Sequence, residues 1–209
     1  MPRGTAAPGL RCTASGLRAR GTARAAPGPG RMTTYVALLR GVNVGRNILR
    51  MDRLRAVCLE LGLENVRTYV QSGNVVFSAG HSVPHWTEAL ERRLVGESRL
   101  AVAVMVRTAA DMARVLQSNP FLREDGVAPA RLAVTFLDRP PARAAVEALD
   151  ALSGGPDRFR LHGTEVYLHC PAGLARTRLN NNALEKVLAV RATSRNWSTV
   201  GRLAAMAAG

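Results

Sequence analysis

The chain has 209 residues, 47% of them hydrophobic and only 4% aromatic, with a formal net charge of +14. That length holds one sizeable domain or two small ones, and the hydrophobic share is enough for a packed core. No apolar run approaches the ~18 residues that a membrane span needs. Cys12, Cys58 and Cys170 form no CxxC pair, which argues against a disulfide framework or structural zinc and suits a reducing cytosol.

The charge is unevenly spread. Residues 1–31 hold six arginines and no acid; taking those six from the 29 basic residues leaves 23 against 15 acidic ones, so residues 32–209 carry +8. Lys186 is the only lysine, and a composition heavy in Ala, Arg and Gly follows from genomic base bias as readily as from function. A folded portion at +8 still favours anionic partners over cationic ones.

In chain order, residues 1–31 read as a disordered basic extension, rich in Ala, Gly, Pro and Arg and closing on Pro27-Gly-Pro-Gly30. They lack the apolar core of a secretory signal. Their acid-free arginine content resembles a mitochondrial presequence, but the plainer reading starts the protein at Met32 and places it in the cytoplasm. Tyr35–Leu39 is then a strand, followed by the polar stretch RGVNVGRN (40–47). Leu54, Val57, Cys58 and Leu61 recur at i, i+3, i+4, i+7, one face of a helix that Gly62 ends. Residues 66–70 and 75–78 flank Gln71-Ser-Gly-Asn74 as a hairpin. Ser82 caps a helix with Pro84 in its first turn and Trp86, Leu90 and Leu94 on its apolar face; residues 100–106 form the next strand. This order, βαββαβ, is that of the ferredoxin-like plait.

The second half nearly repeats it. Thr108-x-x-Asp111 has the form of a capping box, opening a helix that turns Met112, Val115 and Leu116 inward. Asn119-Pro-Phe121 breaks the chain, residues 132–137 form a strand, 141–152 a helix, 159–161 with 166–169 a hairpin, and 179–190 a helix. Residues 192–195 supply a last short strand, and Trp197, Val200, Leu203 and Ala207 mark a closing helix. The expected fold is α+β: two tandem ferredoxin-like halves packed as one body, the first over 32–108 and the second, with the C-terminal helix, over 109–209.

Three segments, YVALLRGVNVG (35–45), NVRTYVQSGNVVF (65–77) and ATSRNWSTVGRL (192–203), resemble the bacterial family called domain of unknown function 1697. Shorter matches at Val106-Arg-Thr108, Asn119-Pro-Phe121, Thr135-Phe-Leu137 and Val166-Tyr-Leu168 extend the likeness over 34–206. The resemblance implies a two-plait α+β fold and brings no reaction with it. This chain departs from the family pattern where lysines are common, reading Gly45-Arg-Asn in the first loop and Thr177-Arg-Leu179 later. Arginine would have to serve there, and it is not equivalent to lysine as a catalyst.

A plait gathers strand ends and strand-to-helix loops at one edge. Arg40, Asn43 and Gly45 leave the first strand; Gln71, Ser72, Gly73 and Asn74 sit in the hairpin; Arg195, Asn196 and Trp197 open the last helix. Glycines let backbone N–H groups converge on an anion, arginines grip phosphate or carboxylate at two points, and amides read hydrogen-bonding edges. The expectation is a site for a small phosphorylated or nucleotide-like anion, with Arg40 facing Arg195 across it. The plainer reading has Asn43 and Asn74 bracing loops, Asn196 capping a helix and Trp197 anchoring it. G-x-x-x-G without a following lysine is no P-loop.

Metal and nucleophile patterns are weak. His81 and His85 are i, i+4 but flank Pro84 with no third ligand, and Cys170 beside His169 points to the opposite face of a strand. Neither a metal nor a cofactor is expected, and no catalytic residue is assigned. One alternative is a nucleic-acid-binding module on the basic plait surface, for which Tyr35 and Phe77 are the only nearby aromatics. Another is an oligomeric scaffold without a small-molecule ligand.

Deleting residues 1–31 is expected to leave the melting temperature unchanged in a thermal denaturation scan. A fall of several degrees would mean that the extension packs on the body.

Overall fold

The structure, a computed structural model, describes residues 32–44, 48–80, 83–98, 102–149 and 155–209. The basic extension, Gly45, Arg46, His81 and the expected cap Ser82 therefore lie outside the described residues, as do the side chains of Pro84 and His85. Two four-stranded antiparallel sheets and six helices make a mixed α+β fold among these residues.

Sheet one holds β1 (Thr33–Arg40), β2 (Glu64–Tyr69), β3 (Asn74–Ala79) and β4 (Ala103–Thr108) in the order β2-β3-β1-β4. Helix α1 (Met51–Glu60) follows β1, and α2 (Val83–Ser98) follows β3. Helix α3 (Ala109–Gln117) leads toward sheet two, made of β5 (Leu132–Leu137), β6 (Arg158–His162), β7 (Glu165–His169) and β8 (Ala192–Asn196) in the order β6-β7-β5-β8. There α4 (Arg143–Leu149) follows β5 and α5 (Asn181–Leu188) follows β7, while α6 (Trp197–Ala208) closes the chain. In each sheet the first strand is central, flanked by the third and the fourth.

The central strands are apolar on both faces because both faces are covered. Tyr35, Ala37 and Leu39 join Val75 and Phe77 under α1 and α2, where Leu54, Val57, Cys58, Leu90 and Leu94 complete one core. Val36, Leu38, Val76 and Met105 look the other way, into a second core shared with Val134, Phe136 and Tyr167 of sheet two. Met112 and Val115 of α3 and Val200, Leu203 and Ala207 of α6 lie in that same core, so these two helices join the sheets. A third core sets Ala133, Leu137, Val166 and Leu168 under α4 and α5.

Local signals set the element ends. Thr108 and Asp111 form the capping box: the Thr108 hydroxyl accepts the Asp111 N–H at 3.0 Å and the Asp111 carboxylate accepts the Thr108 N–H at 2.8 Å. Asn119, Asn180 and Asn196 each accept a backbone N–H at the start of the turn or helix that follows. Tyr35 and Phe77 stack at 5.7 Å, and Trp86 meets Phe77 edge-on at 4.6 Å. These rings are buried beneath α2, so the aromatics considered for base stacking are occupied by the core. Among the described residues no helix is long and apolar enough to cross a membrane.

The β2–β3 hairpin presses against the end of β1. The Leu39 N–H donates to the Gly73 carbonyl at 2.8 Å, Gly73 has φ +67°, and a Cβ there would stand 2.8 Å from Leu39 Cβ. Gly73→Ala is therefore expected to lower the unfolding free energy by about 1–3 kcal/mol in urea denaturation, from strained φ and crowding together. An unchanged midpoint would mean that the hairpin backs away freely.

Candidate functional site

Strand β8 carries Arg195 into the seam between the two sheets, where the side chain is only 8% exposed. Its Nε donates to Asn74 Oδ1 at 2.5 Å, and Nη1 donates to Thr193 Oγ1 and the Ser194 carbonyl, both at 2.8 Å. Nη2 donates to the carbonyls of Leu39 at 2.9 Å, Ser72 at 3.0 Å and, at the limit, Gly73 at 3.5 Å. A guanidinium has five N–H donors, and this one spends them on neutral acceptors. Burial pushes its pKa down to about 10, which leaves it a cation at neutral pH.

Every donor of Arg195 is thus engaged within the protein. Asn74, fully buried, likewise spends its amide on the Tyr69 carbonyl at 3.1 Å and Ser72 Oγ at 2.8 Å. Asn43, in the left-handed region at φ +56°, braces the loop after β1. Its Nδ2 donates to the carbonyls of Leu49 at 3.0 Å and Gln71 at 2.6 Å, and its Oδ1 accepts the Leu49 N–H at 2.8 Å. Asn196 caps α6 through the Thr199 N–H, and half-buried Trp197 packs on the core between the sheets. Gln71 stands exposed at the hairpin tip. These contacts of Asn43, Ser72, Asn74, Asn196 and Trp197 are all internal to the protein.

Arg40 differs. It projects from the end of β1 and meets Glu185 of α5, Nε and Nη2 each 3.2 Å from a carboxylate oxygen, with Nη2 also 2.5 Å from Asn182 Oδ1. It lines a cleft of about 800 Å³ that Arg195 does not line. Gly41, Arg92, Glu91 and Arg191 also line the cleft, whose walls come from β1, α2 and the turn between α5 and β8. Arg191 donates to Glu91 at 2.9 and 3.2 Å and, through Nε, to Asp138 at 3.0 Å. Glu91 and Glu185 are further held by the N–H groups of Val104 at 2.8 Å and Ala192 at 2.9 Å. Arg92 is exposed and has no carboxylate partner among the described residues. Sequence reasoning passed over Arg92, Arg191, Glu91 and Glu185, since nothing local marks residues that meet only across the seam.

A smaller recess of about 420 Å³ lies between α3 and the β6–β7 hairpin. Its Arg107 is tied to Glu165 at 2.6 Å and to the Leu137 and Thr164 carbonyls at 2.9 and 3.2 Å. Nucleophile chemistry has little to work with. Burial pushes the Cys58 thiol up to about 12 and raises that of Cys170. Burial, then the nearby Arg158 charge, lowers the His169 pKa, and its Nδ1 lies 3.0 Å from the Arg158 guanidinium. Among the described residues no group of three or more His, Cys, Asp or Glu is placed to hold a metal ion.

Two antiparallel sheets joined by shared helices, with an arginine-rich seam, define the class as a mixed α+β protein. The chain belongs to the family described as protein of unknown function, DUF1697, whose model matches residues 32–167. The conserved bacterial protein SP0830 from Streptococcus pneumoniae is similar in structure, with 22% identity and a TM-score of 0.69. That likeness covers 86% of this chain and 100% of that one, and it concerns the fold alone. A comparison with curated proteins finds no match.

Arg195→Lys is expected to cost about 2–5 kcal/mol in chemical denaturation, because one ammonium cannot serve acceptors on three segments and each orphaned buried group costs about 1–3 kcal/mol. A loss below ~0.5 kcal/mol would mean that these carbonyls have other partners.

Proposed function

We propose that the protein binds a small phosphorylated anion in the cleft of the seam, with Arg40, Arg92 and Arg191 as the grip. The observation that carries this reading is that three arginines line one cleft of ligand size, one of them, Arg92, without a carboxylate partner among the described residues. Arg40 and Arg191 are held in place by carboxylates, so their forks are already oriented when an anion arrives. Arg92 supplies the surplus charge. The loop cluster of Asn43, Ser72, Asn74 and Arg195 acts as a frame that fixes the end of β1, and with it Arg40.

We also read the two sheets, with their equivalent strand orders, as tandem ferredoxin-like plaits arisen by duplication, the first over 32–108 and the second over 109–209. The buried free thiols Cys58 and Cys170 suit a reducing, cytoplasmic setting. Glu91 and Glu185, the carboxylates that line the cleft, are already paired with arginines, and binding, with no assigned reaction, is the function put forward.

Isothermal titration with inorganic phosphate and pyrophosphate tests it. Arg92→Ala and Arg191→Ala should each weaken binding by about 1.5–3 kcal/mol, the range for hydrogen bonds to charged groups, with Arg92→Ala leaving the melting temperature within error. Absence of binding to the unmodified protein at low salt, or an affinity in both variants unchanged from that of the unmodified protein, would remove the site.

A further inference from the structure

The floor of the same cleft is of a different character from its rim. Val95, Val102, Ala103 and Val190 line it, and Gly41 brings backbone without a side chain. Val102 and Val190 are otherwise buried, whereas Val95 is 46% exposed on α2, one turn beyond Glu91 and Arg92. No Ser, Thr, Asn, Gln, Tyr or His side chain lines the cleft among the described residues. Its two carboxylates, Glu91 and Glu185, are each already engaged by an arginine and a backbone N–H.

A sugar or a nucleobase presents donors and acceptors that lose water on binding, and such groups cost free energy when left unpaired. Among the described residues, the side chains on this floor are aliphatic and offer no donor or acceptor to receive them. An aliphatic or aryl body loses nothing polar there and gains from covering the valines. Resting on the anion-binding reading above, we infer that the ligand is amphipathic: an aryl or acyl group lying on Val95, Val102 and Val190, with its phosphate or carboxylate turned toward Arg40, Arg92 and Arg191. Polar sugar phosphates and nucleotides are the poorer ligands.

Titration of the full chain with inorganic phosphate, methyl phosphate, phenyl phosphate and ribose 5-phosphate separates the two readings. Phenyl phosphate is expected to bind at least tenfold tighter than methyl phosphate, and ribose 5-phosphate no tighter than methyl phosphate. Val95→Ser, a change at a half-exposed position, should bring the phenyl-to-methyl ratio toward one. All four probes binding within twofold of one another, or ribose 5-phosphate binding best, would overturn the amphipathic assignment while the anion site stood. Binding of none would overturn both. A phenyl preference that survives Val95→Ser and also Val190→Ala would place the apolar contact elsewhere and overturn the assignment to this floor.

Discussion

The structure turns on one buried cation. Arg195 reaches from β8 to the end of β1 and into the β2–β3 hairpin, so a single side chain ties sheet two to two separate segments of sheet one. Carbonyl groups at strand ends and hairpin turns have no ladder partners, and the seam hides them from water. Five donors on a rigid plane satisfy several of them at once, which neither lysine nor an apolar residue can do. Several neighbouring choices follow. Gly73 must lack a side chain for the hairpin to approach Leu39, Asn74 must present an oxygen to Nε, and Thr193 adds a hydroxyl donating to the Leu39 carbonyl at 3.3 Å.

Around that tie, packing makes the two sheets interdependent. The inner face of sheet one has no cover of its own; α3, α6 and the inner face of sheet two provide it. Removing either half would bare Val36, Leu38 and Met105 on one side, or Val134, Phe136 and Tyr167 on the other. Ion pairs cross the same seam at its margins, Arg40 with Glu185, Arg107 with Glu165 and Arg191 with Glu91. Those that are half-exposed add little stability by themselves. Their larger effect is orientation, since a paired guanidinium stays where the pairing holds it.

Features encoded by neighbours in the chain were legible in the sequence. The apolar run of Tyr35–Leu39 announced a strand, Thr108-x-x-Asp111 announced a capping box, and Gly73 announced the turn. The candidate site was only partly legible, because residue type reports charge and hydrogen-bonding capacity but not where they are spent. Arg195 and Arg40 look alike in sequence, yet one is consumed by backbone carbonyls and the other lines a cleft. Arg40 and Glu185 stand 145 residues apart, and Arg191 and Glu91 stand 100 apart. Only the fold brings such partners together, so neither local periodicity nor motif spacing could reveal the cleft.

The polar loop after β1 therefore earns its composition from inside the protein. Asn43 replaces missing backbone bonds at the strand exit, and Gly41, at φ +78°, lets the chain turn away without a side chain obstructing the cleft it lines. What this construction leaves is electrostatic. Because Arg195 is held by neutral acceptors and not by a carboxylate among the described residues, its charge is not cancelled by a direct ionic contact there. It lies against the Leu39 carbonyl, one residue from Arg40. In a poorly polarisable interior, such a charge is felt further than one in water. Arg195, buried behind the strand end, thus adds to the positive field at the end of β1 from which Arg40 projects. The buried Arg195 and the partly exposed Arg40 are coupled through that field, without sharing a hydrogen bond.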